Sequence, residues 1–535
     1  MAHSTLSGLA KAVASDMASN GSSRATQVAL RSLENTPECV FDLVELIAKE
    51  GRKKRPSADL IAAYAVLLAH ALESLRFGVE RKDAGSIALV ERLRASLVDQ
   101  CEAGRIGAPM LLLVLSQFAA AKLDVGDALQ ALMARVMANN LDALDALGVG
   151  EDTGSPASIA KMLNHDPFAI HAHLDQSAEA LPETMRAQLV VDVLGEEEPA
   201  MREAALGFLL NGSSRVRMQL AEQTEPAASR GLVSPAMMRR LIAMRNWVPP
   251  ADQPALDKAI EACRRRGVAC APCPQPRTLE VMASGVDGSG AQTVLVIARH
   301  AGSKAALAAL LVKQGIGVRD AWVRRQLTKT ELRGLFQEVK GELGIAPSTI
   351  EHARIVAGHF LAINGASGTM PPFGLLDFAE AVGLGELNPD PWPVERLVGS
   401  LCDAMDGARL SKEAVAKAMR DSADWIDEHP MLATWFEDDV GKGLGAGRAR
   451  RGQALAALLA GRLQSRRRYW AEIAAWTSLG LKHRPGNRDW EGFAVLAREL
   501  LGQRPLDEIG IMAMVAANSL AVASELRLLG KVYAA

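Results

Sequence analysis

Between residues 58 and 97 the apolar side chains keep a helical rhythm. Ile61, Tyr64, Leu68, Leu72 and Leu75 recur at steps of three and four, and Ile87, Val90, Leu93 and Leu97 repeat the pattern. That spacing gathers each set on one face of a helix. A chain of such helices buries its apolar stripes by packing helix against helix. The breaks between periodic runs are short and rich in Gly, Pro, Ser and Asp, as at Gly104 to Pro109, Gly148 to Pro156 and Gly195 to Pro199. Short breaks of this kind join antiparallel helix hairpins. Aromatic residues make up only 4% of the chain while Ala and Leu recur throughout, which suits close helix packing better than sheets. At 535 residues the chain exceeds what one core organises, so several domains or an elongated stack are expected.

The expected fold is mainly α: a helical-repeat, α-solenoid-like stack with a small α/β element containing a β-hairpin. Four regions follow from the punctuation. They are an N-terminal helical region (1–150), short helical units (151–267), a small α/β element (268–345) and a C-terminal helical region (346–535). In the second, prolines recur at Pro167, Pro182, Pro199, Pro226 and Pro235. Glu196 to Gln223 combines an acidic turn, Pro199, Arg202 and an apolar face of Ala205, Leu206, Leu209 and Leu210, then a further helix from Ser213 with Val216 and Leu220. This stretch resembles a HEAT-type repeat, over residues 155 to 250 at most. The resemblance implies a solenoid with an extended face for partners. No fixed period persists along the whole chain.

At residues 268 to 300 the pattern changes. Pro272, Pro274 and Pro276 exclude helix, and two β-prone runs flank Asp287-Gly288-Ser289-Gly290. An Asp-Gly step between such runs predicts a hairpin, with Val294, Val296 and Ala298 on one side and Leu295 and Ile297 on the other. The Ala- and Leu-rich run from Ser303 to Gln314 reads as a helix packed on that hairpin, with strands confined to about 277–300. Capping boxes predict helix starts at Thr328 with Glu331 and at Ser348 with Glu351. Another break falls at Leu387 to Pro393.

Motifs for chemistry are sparse. Cys270 and Cys273 form a C-x-x-C with Cys263 upstream, and His300 is the nearest candidate fourth ligand. No second C-x-x-C completes a zinc site, and the Pro-rich setting is not that of a redox pair opening a helix. These read as loop cysteines, and neither metal nor cofactor is expected. His165, His171 and His173 cluster in sequence, and His352 and His359 share a helix side. Neither group has ligand spacing of the H-E-x-x-H kind, so structural roles are expected. Asp287 to Gly290 is not a nucleophile elbow, and Gly315-Ile-Gly317 lacks the third Rossmann glycine. Both read as turns.

The formal net charge of −2 excludes a generally basic protein and leaves room for local patches. The basic run from Val440 to Ala471 is the one that stands out. It holds Lys442, Arg448, Arg450, Arg451, Arg462, Arg466, Arg467 and Arg468 without an acidic residue, and Tyr469 and Trp470 follow. Guanidinium forks suit phosphate, so these arginines are the candidate contacts for nucleic acid or another anionic partner. The acidic Glu437, Asp438 and Asp439 just before them are candidates to pair with part of the tract. The leading expectation is a non-enzymatic helical-repeat scaffold with a protein partner. The second is a nucleic-acid-binding protein or nucleic-acid-processing enzyme on such a frame, as in the HEAT-like DNA glycosylases. The first twenty residues carry Asp16 and no continuous apolar core. The sixteen-residue stretch between Glu508 and Glu525 falls short of the roughly 20 apolar residues a membrane span needs. It is expected to be a buried core helix, and the chain cytoplasmic with no membrane role.

Overall fold

Helices account for most of the computed structural model, which describes residues 3–18, 30, 33, 36–80, 83–139, 155–178, 181–335, 344–437 and 451–532. The chain divides into two compact units. The first takes Met1–Met237 with Glu261–Val268, and the second takes Met238–Ile260 with Ala269–Ala535.

In the first unit, helices α1 (His3–Ala18), α2 (Cys39–Gly51), α3 (Ala58–Glu80), α4 (Ala84–Glu102), α5 (Ala108–Ala120) and α6 (Asp127–Asn139) come first. Helix α3 lies at the centre and packs on α1, α2, α4 and α5. Tyr64, Leu68, Leu72 and Leu75 are buried on its inner face, as their spacing predicts, and Val90, Leu93 and Leu97 are buried on α4. By length and composition α3 is apolar enough to cross a membrane. Its buried residues instead share one core with Leu43, Ile47, Leu111 and Phe118.

Shorter hairpins follow: α7 (Pro156–Met162), α8 (Pro167–Ala178), α9 (Glu183–Gly195), α10 (Pro199–Ala205) and α11 (Ser214–Ser229). Helix α8 packs on α10, and α9 on both α10 and α11. One device recurs here. Arg202 donates to the carbonyls of Glu196 (2.6 Å) and Glu197 (2.7 Å), five and six residues back. Arg217 does the same to Asn211 (2.6 Å) and Gly212 (3.0 Å). Each arginine sits four residues after its N-cap, Glu198 or Ser213, and satisfies carbonyls of the preceding turn that helix geometry leaves without partners. The helical character of the HEAT-like stretch therefore stands.

Helices α12 (Pro235–Met244) and α13 (Gln253–Arg265) straddle the division. Within the second unit, Arg239 (2.7 Å) and Arg240 (3.0 Å) both bond Glu380. Burial opposes the Glu380 charge, yet the two guanidinium groups hold its carboxyl below the usual range.

The sheet of the second unit has five strands in the order β4-β3-β2-β1-β5. They are β1 (Arg277–Ala283), β2 (Ala291–Arg299), β3 (Ala305–Lys313), β4 (Gly317–Leu327) and β5 (Ala346–Pro347). The expected hairpin is β1–β2, with Arg277 opposite Arg299 and Ala283 opposite Val294. Its alternation is as expected, since Leu295 and Ile297 share one core with Leu307 and Ala309.

The helix expected from Ser303 to Gln314 is instead strand β3, and Trp322 lies on β4, so strands extend well past residue 300. The reason is burial on both faces. Ala305, Leu307 and Ala309 join the core with Met282 and Ile345, while Ala306, Ala308 and Leu310 are also buried. A strand covered on both sides shows no apolar–polar alternation, which removes the signal that separates it from a helix. Small alanines also let helices α14 (Ile350–Ser367) and α15 (Gly374–Val382), which pack on β3 and β4, approach closely. At Gly374 the approach is so close that a Cβ would collide with the Ala321 carbonyl oxygen. Gly315 and Gly317 (φ 74° and 104°) form the β3–β4 turn.

The Thr328–Glu331 capping box forms as expected, with Thr328 N–H 2.8 Å from the Glu331 carboxylate and Glu331 N–H 3.3 Å from Thr328 Oγ1. The second box does not. Thr349 caps α14 by accepting from His352 N–H, and the Ser348 hydroxyl bonds His352 Nδ1 (2.8 Å) instead.

The remaining helices are α16 (Val394–Asp403), α17 (Lys412–Asp421), α18 (Arg451–Leu458), α19 (Arg467–Lys482), α20 (Trp490–Leu501) and α21 (Gly510–Val532). Helices α19 and α20 form the main hairpin. In α21, Ile511, Met512, Val515, Ala516 and Ser519 are buried, as the uncharged run predicts.

Candidate functional site

The basic tract is the first candidate. Arg448 and Arg450 lie outside the described residues, as do Lys442, Asp438 and Asp439, and only the backbone of Arg451 is described. Arg462 (3.1 Å) and Arg466 (2.8 Å) both pair with the buried Glu437, which also accepts the Trp470 indole N–H at 3.0 Å. Arg467 donates to the backbone carbonyls of Leu500 (2.6 Å) and Glu499 (2.7 Å) at the end of α20. Arg468 pairs with Glu395. Trp470 is fully buried, and the Tyr469 hydroxyl donates to Gly288 O at 2.9 Å while Arg466 covers its ring. The helix expected from Gly452 to Leu463 is present as α18 and a π-helical turn, Leu459–Leu463.

The other sequence candidates are also placed. Cys270 and Cys273 are exposed loop thiols and Cys263 is buried. His171 is buried edge-on against Phe208, and burial lowers its pKa. His165 is exposed beside Glu198. His359 stacks on Trp476 and accepts the Trp392 N–H on Nδ1 (3.0 Å), and burial lowers its pKa to about 4. Asp287 Oδ1 accepts from the N–H groups of Ser289 and Ala291, both at 2.8 Å, which fixes the hairpin turn.

That turn leads to the site. Trp435 Nε1 donates to Val286 O (3.0 Å) and Gly288 N–H to Thr434 Oγ1 (3.3 Å), docking the β1–β2 tip onto residues 430–435. Behind the tip lies a cavity of about 540 Å³, within the roughly 300–1,000 Å³ of small-molecule sites. The sheet and its β1–β2 connection supply Ser284, Gln292 and Leu311, the segment 428–434 supplies Glu428, His429 and Met431, α19 supplies Thr477, Gly480 and Leu481, and Arg484 follows just past the end of α19. Thr477, Gly480 and Leu481 follow i, i+3, i+4 spacing and so form one stripe of α19.

Two of the lining residues each hold a buried polar atom without a partner. Gln292 is 3% exposed, its Nε2 donates to Ser284 O (3.1 Å), and its Oε1 is unbonded. Thr477 is 2% exposed and its Oγ1 is unbonded. An unmet buried polar atom costs about 1–3 kcal/mol. A Cβ at Gly480 would sit in ordinary contact with the same wall, 3.5 Å from Gln292 Nε2 and 3.8 Å from His352 Nε2. His352, fully buried, also has Nε2 without a partner. Its ring stacks on His483, with centroids 5.5 Å apart. Burial, then the neighbouring His483, push its pKa down to about 3.

Charged groups gather around His429. Burial lowers its pKa and the nearby Arg484 adds to that, while Asp489 and Glu428 pull the other way. The side-chain ligand atoms of Glu428, His429 and Asp489 lie within 4.8 Å of one another. Glu428 and Arg484 are exposed, whereas His429 is buried. The lining therefore combines neutral polar and apolar residues with charges of both signs.

Two separate stretches of this chain match known sequence families. Residues 395–524 match the Y4lR C-terminal helical domain, and residues 182–267 match the Y4lR second domain. The uncharacterized protein y4lR of Sinorhizobium fredii (strain NBRC 101917 / NGR234) is 25% identical over 362 residues, which covers 66% of this chain and 68% of that protein. No solved structure matches. The helical wall of the cavity, from Glu428 to Arg484, falls inside the first matched stretch, and the β1–β2 wall falls outside both.

None of the sequence candidates pointed to this cavity. The available signal was polarity out of place: Gln292 within an apolar strand, and Thr477 and Gly480 within an apolar stripe of α19.

Proposed function

We propose that this protein is a binding protein whose second unit receives a small organic molecule in the cavity between the β1–β2 hairpin, residues 428–434 and helix α19. The observation that carries this reading is that two residues lining one cavity, Gln292 and Thr477, each hold a buried polar atom without a partner. Sites built to hydrogen-bond a ligand bear such a cost when empty and recover it on binding. The scaffold role read from the sequence is retained as a proposal for the first unit, supported by its stacked helix hairpins, with a protein as the partner. The nucleic-acid alternative gains no support from Arg462, Arg466, Arg467 and Arg468, whose guanidinium groups are engaged within the fold.

The test is thermal melting of the whole chain against a library of polar metabolites, followed by tryptophan fluorescence. All eight tryptophans lie between Trp247 and Trp490, within the second unit. A compound that raises the melting temperature of the parent, and has no effect on a Gln292→Leu/Thr477→Val variant, supports the reading. An identical response in the variant, or no response to any compound, refutes it.

A further inference from the structure

Glu428 and Arg484 line the same cavity. Both are exposed, and neither forms an ion pair with the other or with any other described residue. Opposite charges on the lining of one cavity, yet unpaired, leave room for a ligand that carries both signs. Apart from His429 and Asp287 the rest of the lining is neutral. Gln292 Oε1 is an acceptor with its own amide nitrogen already committed to Ser284 O, and Thr477 offers a hydroxyl that donates or accepts. Leu311, Met431 and Leu481 supply apolar wall. Asp287 adds a carboxylate to the lining, but its Oδ1 already accepts from Ser289 and Ala291.

We infer that the ligand is a zwitterion of the α-amino-acid type. Its carboxylate is held by Arg484, its ammonium by Glu428, and a hydrogen-bond donor on its side chain by Gln292 Oε1. An α-amino acid presents both charges on a single carbon and sends its side chain away from them. That arrangement matches a lining that carries both charges beside neutral polar and apolar residues. Arginine's planar fork is suited to a carboxylate, and the buried amide oxygen favours a side chain with an O–H or N–H over a purely aliphatic one. The inference rests on the ligand-binding reading above.

The experiment is a melting series of the whole chain with the twenty standard α-amino acids, each at millimolar concentration. Manganese, zinc and the general metabolite library are run beside them. For the strongest binder, titration compares it with its decarboxylated amine and its deaminated acid. The expected result is stabilisation by at least one amino acid with a donor on its side chain. Arg484→Gln and Glu428→Gln should each weaken it roughly tenfold or more, the range for hydrogen bonds to charged groups. Arg484→Gln should not weaken binding of the amine, and Glu428→Gln should not weaken binding of the acid, because each analogue already lacks the partner group and the change removes a like charge. Both residues are exposed, so neither change threatens the fold. Stabilisation by a neutral or singly charged compound with no amino acid effective overturns this inference and leaves the ligand-binding reading standing. Stabilisation by a metal ion alone overturns it in favour of a cation at Glu428, His429 and Asp489. Silence across every set overturns both.

Discussion

Replacing Thr477 with valine is expected to make the ligand-free protein more stable. Valine has nearly the shape of threonine, so little packing is lost. What disappears is a hydroxyl that is 2% exposed and unbonded. Leaving such a group unmet costs about 1–3 kcal/mol, and removing it with shape conserved recovers part of that. β-Branched residues have similar helix propensities, so α19 itself is indifferent to the exchange. We take about 1 kcal/mol as the expected gain. For a unit of this size that corresponds to a rise of roughly 2–4 °C in melting temperature. Urea unfolding followed by tryptophan fluorescence is the assay. All eight tryptophans lie from Trp247 onward, so the signal reports the second unit without interference from the first. A midpoint moving to higher urea with unchanged slope meets the expectation. A loss of 1 kcal/mol or more refutes the reasoning, because it means the hydroxyl is well bonded in the empty protein, by water for example.

Three further expectations follow from the same geometry. His352 has a folded-state pKa near 3 against about 6.5 when unfolded, so between those values the unfolded chain binds the extra proton and stability falls as pH drops. Urea midpoints of the second unit should therefore decline below pH 6.5, and a His352→Leu variant should show a shallower decline; equal slopes would contradict the linkage. Gly374→Ala forces a methyl against the Ala321 carbonyl oxygen and should cost about 1–3 kcal/mol, read by the same assay, with no loss excluding the close approach of α15 to β4. Cys270 and Cys273 are exposed and should react at once with a thiol reagent on the native protein. Cys39, buried with its pKa raised to about 11 by desolvation, should react only after unfolding.

The helices were legible wherever one face is dry and the other wet, as at Tyr64 to Leu75 and Val90 to Leu97. The hairpin was legible from its turn, because Asp287 and the glycines beside it declare a backbone geometry locally. Strand β3 was not. Its run of alanines and leucines is buried on both faces, and neither helical nor strand periodicity survives in such a segment. The start of α14 was misplaced by one residue because Ser348 and Thr349 are both able to cap, and only the tertiary bond from Ser348 to His352 decides between them. The charge of the basic tract was visible, but its partners were not all. Glu437 is close in sequence, whereas Glu395 and the carbonyls of Leu500 and Glu499 come from distant elements. The cavity had the weakest signal of all. It is assembled from three segments spread over some two hundred residues, and its informative atoms are polar groups whose lack of a partner exists only in three dimensions.

The most direct measurement is native mass spectrometry of the protein purified gently from its own host, compared with the Gln292→Leu/Thr477→Val variant prepared in the same way. The account predicts a bound small molecule on the parent, released on denaturation and absent from the variant. Parent and variant carrying the same adduct, or both carrying none across repeated gentle preparations, would contradict it.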